Sequence, residues 1–473
     1  MMSPPTNARL DPRQPVTSLA SPRSGDSEDE LEQRCRREVL AFSWPVMTEL
    51  LLMSLINMAS LAMVGGLGTK AISIVGLTNQ PVMIFMAVFQ AFNVGATALV
   101  ARAIGGQDQA GARAVAVQTV AIACGVSLVL AGLGLLFSEA IMAGMGAGPD
   151  ILQEGTRYMM YMSVAVVFQG LPTSVAAILR GAGETEAPMR YNVISNVVNV
   201  VLGILLIQGF AGSPSLGLEG AAIATVVARA VSFFLAVKAL LRPDLPLALA
   251  WNTPLRAEPE ILRRIGQIGL SAAGEQLFSR LGLLLYTRIV AELGTTAVAA
   301  HQINLTVASL AFNGVTALSA ASSSFVGRSL GKQDAELGER YWREALFQGY
   351  VFSLAMGVLF FFGGRQLSSL FSKDPEVITL SCQILMVNAV LNMPQCTFTI
   401  IAGGLRGAGD TRYPMVAALV GTLGVRVLLA MLFVVVFQLG LLGAWAAAVV
   451  DQSVRAVLIY RRFQSGRWRH QKV

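Results

Sequence analysis

The sequence has little charge and few residues of the types that carry most enzyme chemistry. Only 13% of its 473 residues are charged and 54% are hydrophobic, whereas a soluble domain is roughly 25% charged. The four cysteines are far apart, without the spacing of a metal site or a disulfide framework. Neither a Walker-type phosphate loop nor a nucleophile-and-base constellation is present. The composition excludes a soluble globule and predicts a membrane protein that is not an enzyme and has no cofactor or metal.

Long apolar runs predict twelve membrane-spanning helices. A helix needs about 20 apolar residues to cross roughly 30 Å of hydrocarbon, and the lipid requires every backbone polar group to be paired within the segment. The sequence is therefore predicted to fold as an all-α integral membrane protein. The first six spans are placed near 40–64, 73–101, 114–137, 156–178, 188–208 and 217–241, and the second six near 264–290, 299–327, 342–363, 376–402, 413–436 and 440–461.

The second half of the chain repeats the first. The motif LRGAGET at 179–185 returns as LRGAGDT at 405–411, which is an offset of 226 residues. The same offset pairs Glu49 with Glu275, Arg102 with Arg328, Gly105 with Gly331, and Arg229 with Arg455. Each copy contains an even number of spans, so both copies enter the membrane in the same orientation. These repeats predict two parallel six-helix lobes with a cavity between them.

The distribution of basic residues predicts the orientation of the chain. With a cytoplasmic N-terminus, the cytoplasmic segments contain 23 Lys and Arg residues and the outer loops contain four. Topology thus explains the net charge of +7, and no nucleic-acid partner is expected. We divide the chain into a disordered cytoplasmic tail (1–39), an N-lobe (40–242), a cytoplasmic linker (243–262), a C-lobe (263–463) and a cytoplasmic C-terminal tail (464–473). Both termini are expected in the cytoplasm of a plasma or bacterial inner membrane, and the protein is expected to be a monomer.

Polar residues at helical spacing predict which faces line the cavity. Asn192, Asn196 and Asn199 are four and three residues apart, so they form one stripe on the span at 188–208. Polar side chains are costly in lipid and normally face protein or water. An alternative interpretation is that these amides hold neighbouring helices together. The full set of cavity candidates is Asn57, Ser60, Gln169, Asn192, Asn196, Asn199, Ser279, Tyr286, Asn388, Asn392 and Gln395.

Carboxylates inside the spans are the candidates for ion coupling. Glu49 and Glu275 are repeat mates within apolar helices, and a desolvated carboxyl can carry a proton near neutral pH. The competing interpretation is a structural ion pair or a helix cap, with Arg280 as a possible partner for Glu275. Asp451 and Arg455 are four residues apart on the last span, a spacing that favours a local ion pair.

Several motifs together resemble a known transporter family. They are VGGLGTKAIS at 64–73, ELGTTAVAAHQI at 292–303, the two LRGAG motifs, and RRFQSGRW at 461–468. The sequence from about 40 to 468 resembles the multidrug and toxic compound extrusion (MATE) family. The resemblance implies two six-helix lobes in a V shape. It also implies export of small organic, often cationic, compounds in exchange for protons or sodium.

The sequence departs from this family at the usual acidic positions. The resemblance implies carboxylates where this chain has Ser60, Gly203, Ser279 and Gln395. We therefore expect Glu49 and Glu275 to serve a proton-coupled antiporter that works by alternating access, with sodium coupling as the alternative. A lipid-linked substrate flippase is a second possibility, and a membrane receptor or scaffold without transport is a third, from a different class.

Overall fold

The computed structural model describes residues 28–209, 215–242 and 258–471, and almost all of these residues are helical, with no strand among them. The N-lobe contains α1 (Glu28–Gly65), α2 (Thr69–Gly105), α3 (Gln109–Leu136), the short α4 (Ser138–Gly144), α5 (Leu152–Ala182), α6 (Glu186–Gln208) and α7 (Gly217–Leu240). The C-lobe contains α8 (Pro259–Ala291), α9 (Thr295–Gly331), α10 (Ala335–Ser369), α11 (Pro375–Gly407), α12 (Arg412–Val436) and α13 (Gly440–Gln464). A short 3₁₀ turn, Arg467–His470, follows α13.

Eleven of the described helices are long and apolar enough to cross a membrane. The twelfth long helix, α8, has 33 residues and contains six charged residues, Glu260, Arg263, Arg264, Glu275, Arg280 and Arg288. It is the repeat mate of α1. It packs against α12 and α9 of the C-lobe and also, extensively, against α2 of the N-lobe. The predicted all-helical membrane fold is therefore confirmed.

The first helix starts earlier than the sequence indicated. The expected tail at 1–39 is wrong for residues 28–39, because α1 begins at Glu28; residues 1–27 lie outside the described residues. Apolar residues recur every three or four positions through this charged segment, so they form one face of a helix. That face is buried, and it consists of Leu31, Cys35, Val39, Phe42 and Val46.

The linker and the C-terminal tail also differ in part from expectation. Residues 243–257 of the predicted linker lie outside the described residues, and 259–262 form the first turn of α8. Pro259 stands at the start of that helix, where its missing N–H costs no hydrogen bond. In the C-terminal tail the Trp468 side chain is fully buried and stacks on Phe463, with 4.7 Å between ring centroids.

Both lobes pack their helices in the same way. In the N-lobe α5 lies against α2, α3 and α7, and in the C-lobe its mate α11 lies against α9, α10 and α13. The pair α6–α7 corresponds to α12–α13 in the same manner. One departure is that α12 includes π-helical turns at Leu419–Arg426 and Leu432–Val436.

The lobes meet at the end of the bundle that holds Glu28 and Gln471, which we call the terminal end. There α2 and α9 cross with their backbones in contact. A Cβ on Gly105 would lie 1.9 Å from the Arg328 carbonyl oxygen, and one on Gly331 would lie 2.1 Å from that of Arg102. Only glycine allows such an approach.

Further contacts hold the lobes together at this crossing and nearer the middle of the bundle. Ser324 Oγ of α9 donates to the Arg180 carbonyl oxygen of α5 at 2.8 Å. The first half of α1 packs on the C-lobe, with the rings of Phe42 and Phe325 5.4 Å apart. Nearer the middle of the bundle, Asn313 Nδ2 donates to Ser54 Oγ at 2.7 Å.

Candidate functional site

Glu49 on α1 bonds through its side chain to α5 and α6 of the N-lobe. It lies in the middle of α1 and is 7% exposed. Arg180, in the last turn of α5, places Nη2 2.8 Å from both carboxylate oxygens. Nδ2 of Asn192, on α6, donates to Oε1 at 2.8 Å. Because charge-assisted hydrogen bonds are about twice as strong as neutral ones, this cluster fixes α1 against α5 and α6.

The C-lobe contains the same ion pair at the repeat-related positions. Glu275 on α8 is 8% exposed, and its Oε1 accepts from Arg406 Nη2 at 2.7 Å. Arg406 Nε lies 3.3 Å from Oε2. Arg280, the possible partner named from the sequence, does not pair with Glu275, because five residues along a helix place the two side chains on different faces. Arg280 is exposed, and its Nη1 lies 3.7 Å from Sδ of Met83 on α2.

The LRGAG motif supplies both arginine partners. In each copy the arginine is in the last helical turn, and a glycine follows in the left-handed region, Gly183 at φ 91° and Gly409 at φ 88°. That glycine ends the helix without the penalty a side chain would bring. The arginine side chain turns back into the lobe instead of lying in the loop. The two glutamates and the two arginines share the 226-residue offset, which is the sequence signal that could have paired them.

The predicted asparagine stripe of the N-lobe faces α7 and α1. Asn199 Nδ2 donates to Thr225 Oγ1 at 3.2 Å, and Ser60 Oγ donates to Asn199 Oδ1 at 3.5 Å. Asn192 Oδ1 accepts from Ser232 Oγ at 3.4 Å. The structure thus brings Ser60, Asn192 and Asn199 together in one polar layer. Asn196 and Gln169 are partly exposed, and the side chain of Asn57 lies outside the described residues.

The C-lobe candidates do not form an equivalent layer. Asn388 and Asn392 on α11 are 1% and 4% exposed, and neither Asn388 amide atom has a hydrogen-bond partner in the described structure. Ser279 and Gln395 are partly exposed. Tyr286 is buried, with its ring 5.7 Å from that of His301. In the N-lobe, Asn192 and Asn199 bond neighbouring helices together, as the alternative interpretation predicts. The assignment of these residues to a cavity stays a prediction in both lobes.

A second charged cluster lies deep in the C-lobe. Asp451 on α13 is fully buried, and its Oδ1 is 2.9 Å from Nε of Arg455, which confirms the predicted local pair. Arg426, from the π-helical part of α12, adds a second guanidinium with Nε 2.8 Å from Oδ2. The sequence does not indicate this contact of Arg426, because no spacing rule links α12 to α13. One carboxylate here neutralises only one of two cations.

The family model for MatE matches residues 45–205 and again 272–432, once in each lobe. The chain belongs to the MatE family. This MatE chain is 29% identical to the probable multidrug resistance protein NorM of Thermotoga maritima over 440 residues, or 93% of this chain and 94% of that protein. It is 27% identical to the probable NorM of Rhodopseudomonas palustris, with 90% and 91% covered.

Solved structures of MATE proteins share its fold. A Vibrio cholerae MATE transporter superposes with a TM-score of 0.86 at 18% identity, covering 93% of this chain and 100% of that one. An outward-facing MATE transporter superposes with a TM-score of 0.85 at 22% identity, covering 95% and 100%. The predicted family is confirmed: this is a multi-pass MATE efflux transporter, whose family handles small organic compounds.

Two of the four positions at which the resemblance implied carboxylates have neutral neighbours in this MatE chain. Ser60 contacts Asn199, and a Cβ on Gly203 would lie 3.4 Å from Cε of Met63. The buried carboxylates of the spans instead lie at Glu49, Glu275 and Asp451, and each is paired with arginine. The buried carboxylates of the described spans thus lie away from the positions that the resemblance implied.

Asp451→Asn should destabilise the C-lobe by about 3 to 5 kcal/mol, because it leaves two buried guanidinium groups without a counter-charge. The measurement is the thermal unfolding temperature of the purified protein in detergent. The matched control is Glu186→Gln, which removes the exposed pair with Arg190 and should cost less than about 1 kcal/mol. Equal unfolding temperatures for the two variants would contradict a stabilising role for Asp451.

Proposed function

We propose that this MatE transporter is a proton-driven antiporter that exports amphipathic organic compounds by alternating access between its two lobes. The observation that carries the proposal is the repeated Glu–Arg pair, Glu49 with Arg180 and Glu275 with Arg406, one in each lobe of a duplicated bundle. Two equivalent ionisable sites, one in each lobe, are suited to coupling movement of the lobes to an ion gradient.

Contacts at one end of the bundle support alternating access. The lobes touch where Gly105 and Gly331 cross and where α1 packs on the C-lobe. If both termini are cytoplasmic, as the excess of basic residues in those loops favours, this arrangement closes the cavity toward the cytoplasm. Transport then requires that the crossing separates and that the lobes close at the other end.

The surroundings of Glu49 count against a sodium ion as the coupling ion. The groups around its carboxylate are N–H donors, from Arg180 and Asn192, whereas a sodium ion needs several oxygen ligands at the same point. A proton neutralises the carboxylate without further ligands and removes its attraction for Arg180. Protonation would therefore release α1 from α5. Pro45, one turn before Glu49, already removes a backbone hydrogen bond there and provides a place for α1 to bend.

The test is transport in proteoliposomes made with the purified full chain and loaded with ethidium. An imposed proton gradient should drive ethidium movement, and adding ethidium should release protons that a pH-sensitive dye trapped inside reports. A sodium gradient at constant pH is the matched control and should drive none. Ethidium movement that follows sodium and ignores the proton gradient would overturn the proton assignment. Absence of any ethidium flux under both gradients would count against this substrate class.

A further inference from the structure

Arg229 lies in the middle of α7 on the face directed into the N-lobe. It is partly buried, and residues on the opposite face, Val227 and Phe234, are exposed at 38% and 65%. Thr225 and Ser232, one turn on either side of Arg229, share its face and bond to the asparagine stripe of α6. Arg229 therefore points toward the polar interior of the lobe and away from lipid.

Within the described residues, Arg229 has no hydrogen-bond or ion-pair partner. Its repeat mate Arg455 is neutralised by Asp451 one turn earlier, and the repeat mate of Asp451 is Thr225. The N-lobe thus keeps the cation and replaces its carboxylate by a hydroxyl. The Glu49 carboxylate is bonded to Arg180 and Asn192 and not to Arg229.

Asn196 on α6 lies beside Arg229 and is also without a partner in the described structure. The register of the two antiparallel helices is set by Ser195 Oγ, which donates to the Ala228 carbonyl oxygen at 2.6 Å. Asn196 follows Ser195 and Arg229 follows Ala228. Each helix turns about 100° per residue, and the two helices run in opposite directions. Asn196 and Arg229 therefore lie on the same side of the helix pair.

That side of the pair faces the interior of the lobe. Asn192, one turn before Asn196 on the same stripe, donates to Glu49 of α1. One turn further on, Asn199 accepts from Ser60, also on α1. Between these two contacts with α1, Asn196 and Arg229 are the members of the polar layer that have no partner among the described side chains.

We propose that Arg229 and Asn196 bind an anionic group, such as a carboxylate, on the transported compound. A guanidinium presents N–H donors in a fork that matches a carboxylate, and the Asn196 amide can donate a further hydrogen bond. A cation inside a lobe gains most from a ligand that supplies its missing counter-charge. The inference rests on the proposed export function, and it predicts that zwitterionic compounds bind better than purely cationic ones.

The test compares norfloxacin, which has a carboxylate and an amine, with its methyl ester, which keeps the amine only. Binding to the purified full chain in a neutral detergent is measured by equilibrium dialysis. Wild type should bind the acid about tenfold or more tightly than the ester, as one charged hydrogen-bond pair implies. Arg229→Gln should remove this preference, and Arg229→Lys should keep part of it.

Thr225→Asp tests the same idea with the arginine still present. This variant copies the Asp451–Arg455 pair of the C-lobe into the N-lobe, so an internal carboxylate takes the place of the ligand. It should abolish the preference for the acid as fully as Arg229→Gln. The control is Arg288→Gln, which removes an exposed arginine of α8 and should leave the preference intact. Size-exclusion profiles identify any variant that does not fold.

Three outcomes would overturn the inference. They are equal binding of acid and ester by wild type, an unchanged preference in Arg229→Gln or Thr225→Asp, and loss of the wild-type preference on adding phosphatidylglycerol, which would assign the site to a lipid headgroup. Proton-driven transport of the ester by wild-type vesicles reports separately on the proposed function. Ester transport without acid preference would refute the anion site alone, and acid preference without any transport would refute the export function alone.

Discussion

Glu49→Gln should lower proton-driven export by about tenfold or more and should also destabilise the protein. The substitution leaves Arg180 buried without a counter-charge, and breaking a buried ion pair in this way costs about 3 to 5 kcal/mol. Arg180→Gln should have a similar effect on stability, because it leaves the Glu49 carboxylate unpaired. Both variants are measured by ethidium transport in proteoliposomes and by thermal unfolding in detergent.

The double variant Glu49→Gln/Arg180→Gln separates coupling from structure. Two neutral amides can hydrogen bond to each other, so the double variant should recover most of the lost stability. If Glu49 carries the proton, this stable protein should still release no protons when substrate is added. Normal proton release per ethidium transported would instead show that the pair only holds α1 against α5.

The duplicated sequence offers a matched comparison for this experiment. Glu275→Gln and Arg406→Gln make the same change in the C-lobe, at the same 131-residue separation. The exposed pair Arg157–Glu219, at 3.4 Å, is the control, and Glu219→Gln should alter neither transport nor stability measurably. Coupling defects in both lobes would indicate two proton sites. A defect confined to Glu49 would assign coupling to the N-lobe alone and leave the C-lobe pair structural.

Much of the fold could be predicted because its signals are local or repeated. Apolar runs gave twelve helices, and the 226-residue offset gave two lobes of equal orientation. The predicted helices are shorter than those of the structure. An apolar run ends at its first charged residue, whereas α1 and α10 continue well beyond their apolar parts. Cys35 and Val39 show this clearly: their buried face lies within a charged segment.

The candidate site was only half visible in the sequence for a related reason. Glu49 and Glu275 stand out in the sequence because each interrupts an apolar span. Arg180 and Arg406 stand at the ends of apolar spans, where a basic residue is typical of a loop. Each glutamate contacts an arginine that lies 131 residues further along the sequence, so the contact depends on how the helices pack. Arg426 can be recognised as an arginine within a span, but its contact with Asp451 depends on the packing of α12 against α13.

Gly105→Ala should shift the lobes away from the arrangement seen here and lower export by about tenfold or more. Its Cβ would lie 1.9 Å from the Arg328 carbonyl oxygen, and that backbone atom cannot move without moving α9. Gly331→Ala, whose Cβ would lie 2.1 Å from the Arg102 carbonyl oxygen, makes the equivalent change from the other lobe. The control is Gly125→Ala on α3, where no atom lies within 4 Å of the new Cβ.

The separation of the lobes can be followed with native cysteines. Cys35 is fully buried where α1 packs on the C-lobe, whereas Cys396 is fully buried in α11. In a protein with Cys124 and Cys382 replaced by alanine, a maleimide reagent should label Cys35 faster in Gly105→Ala than in wild type. Labelling of Cys396 should stay slow in both, because separation of the lobes does not unfold α11. Unchanged labelling of Cys35 together with full export would mean that the lobes do not part at this crossing, and alternating access would then need a different hinge.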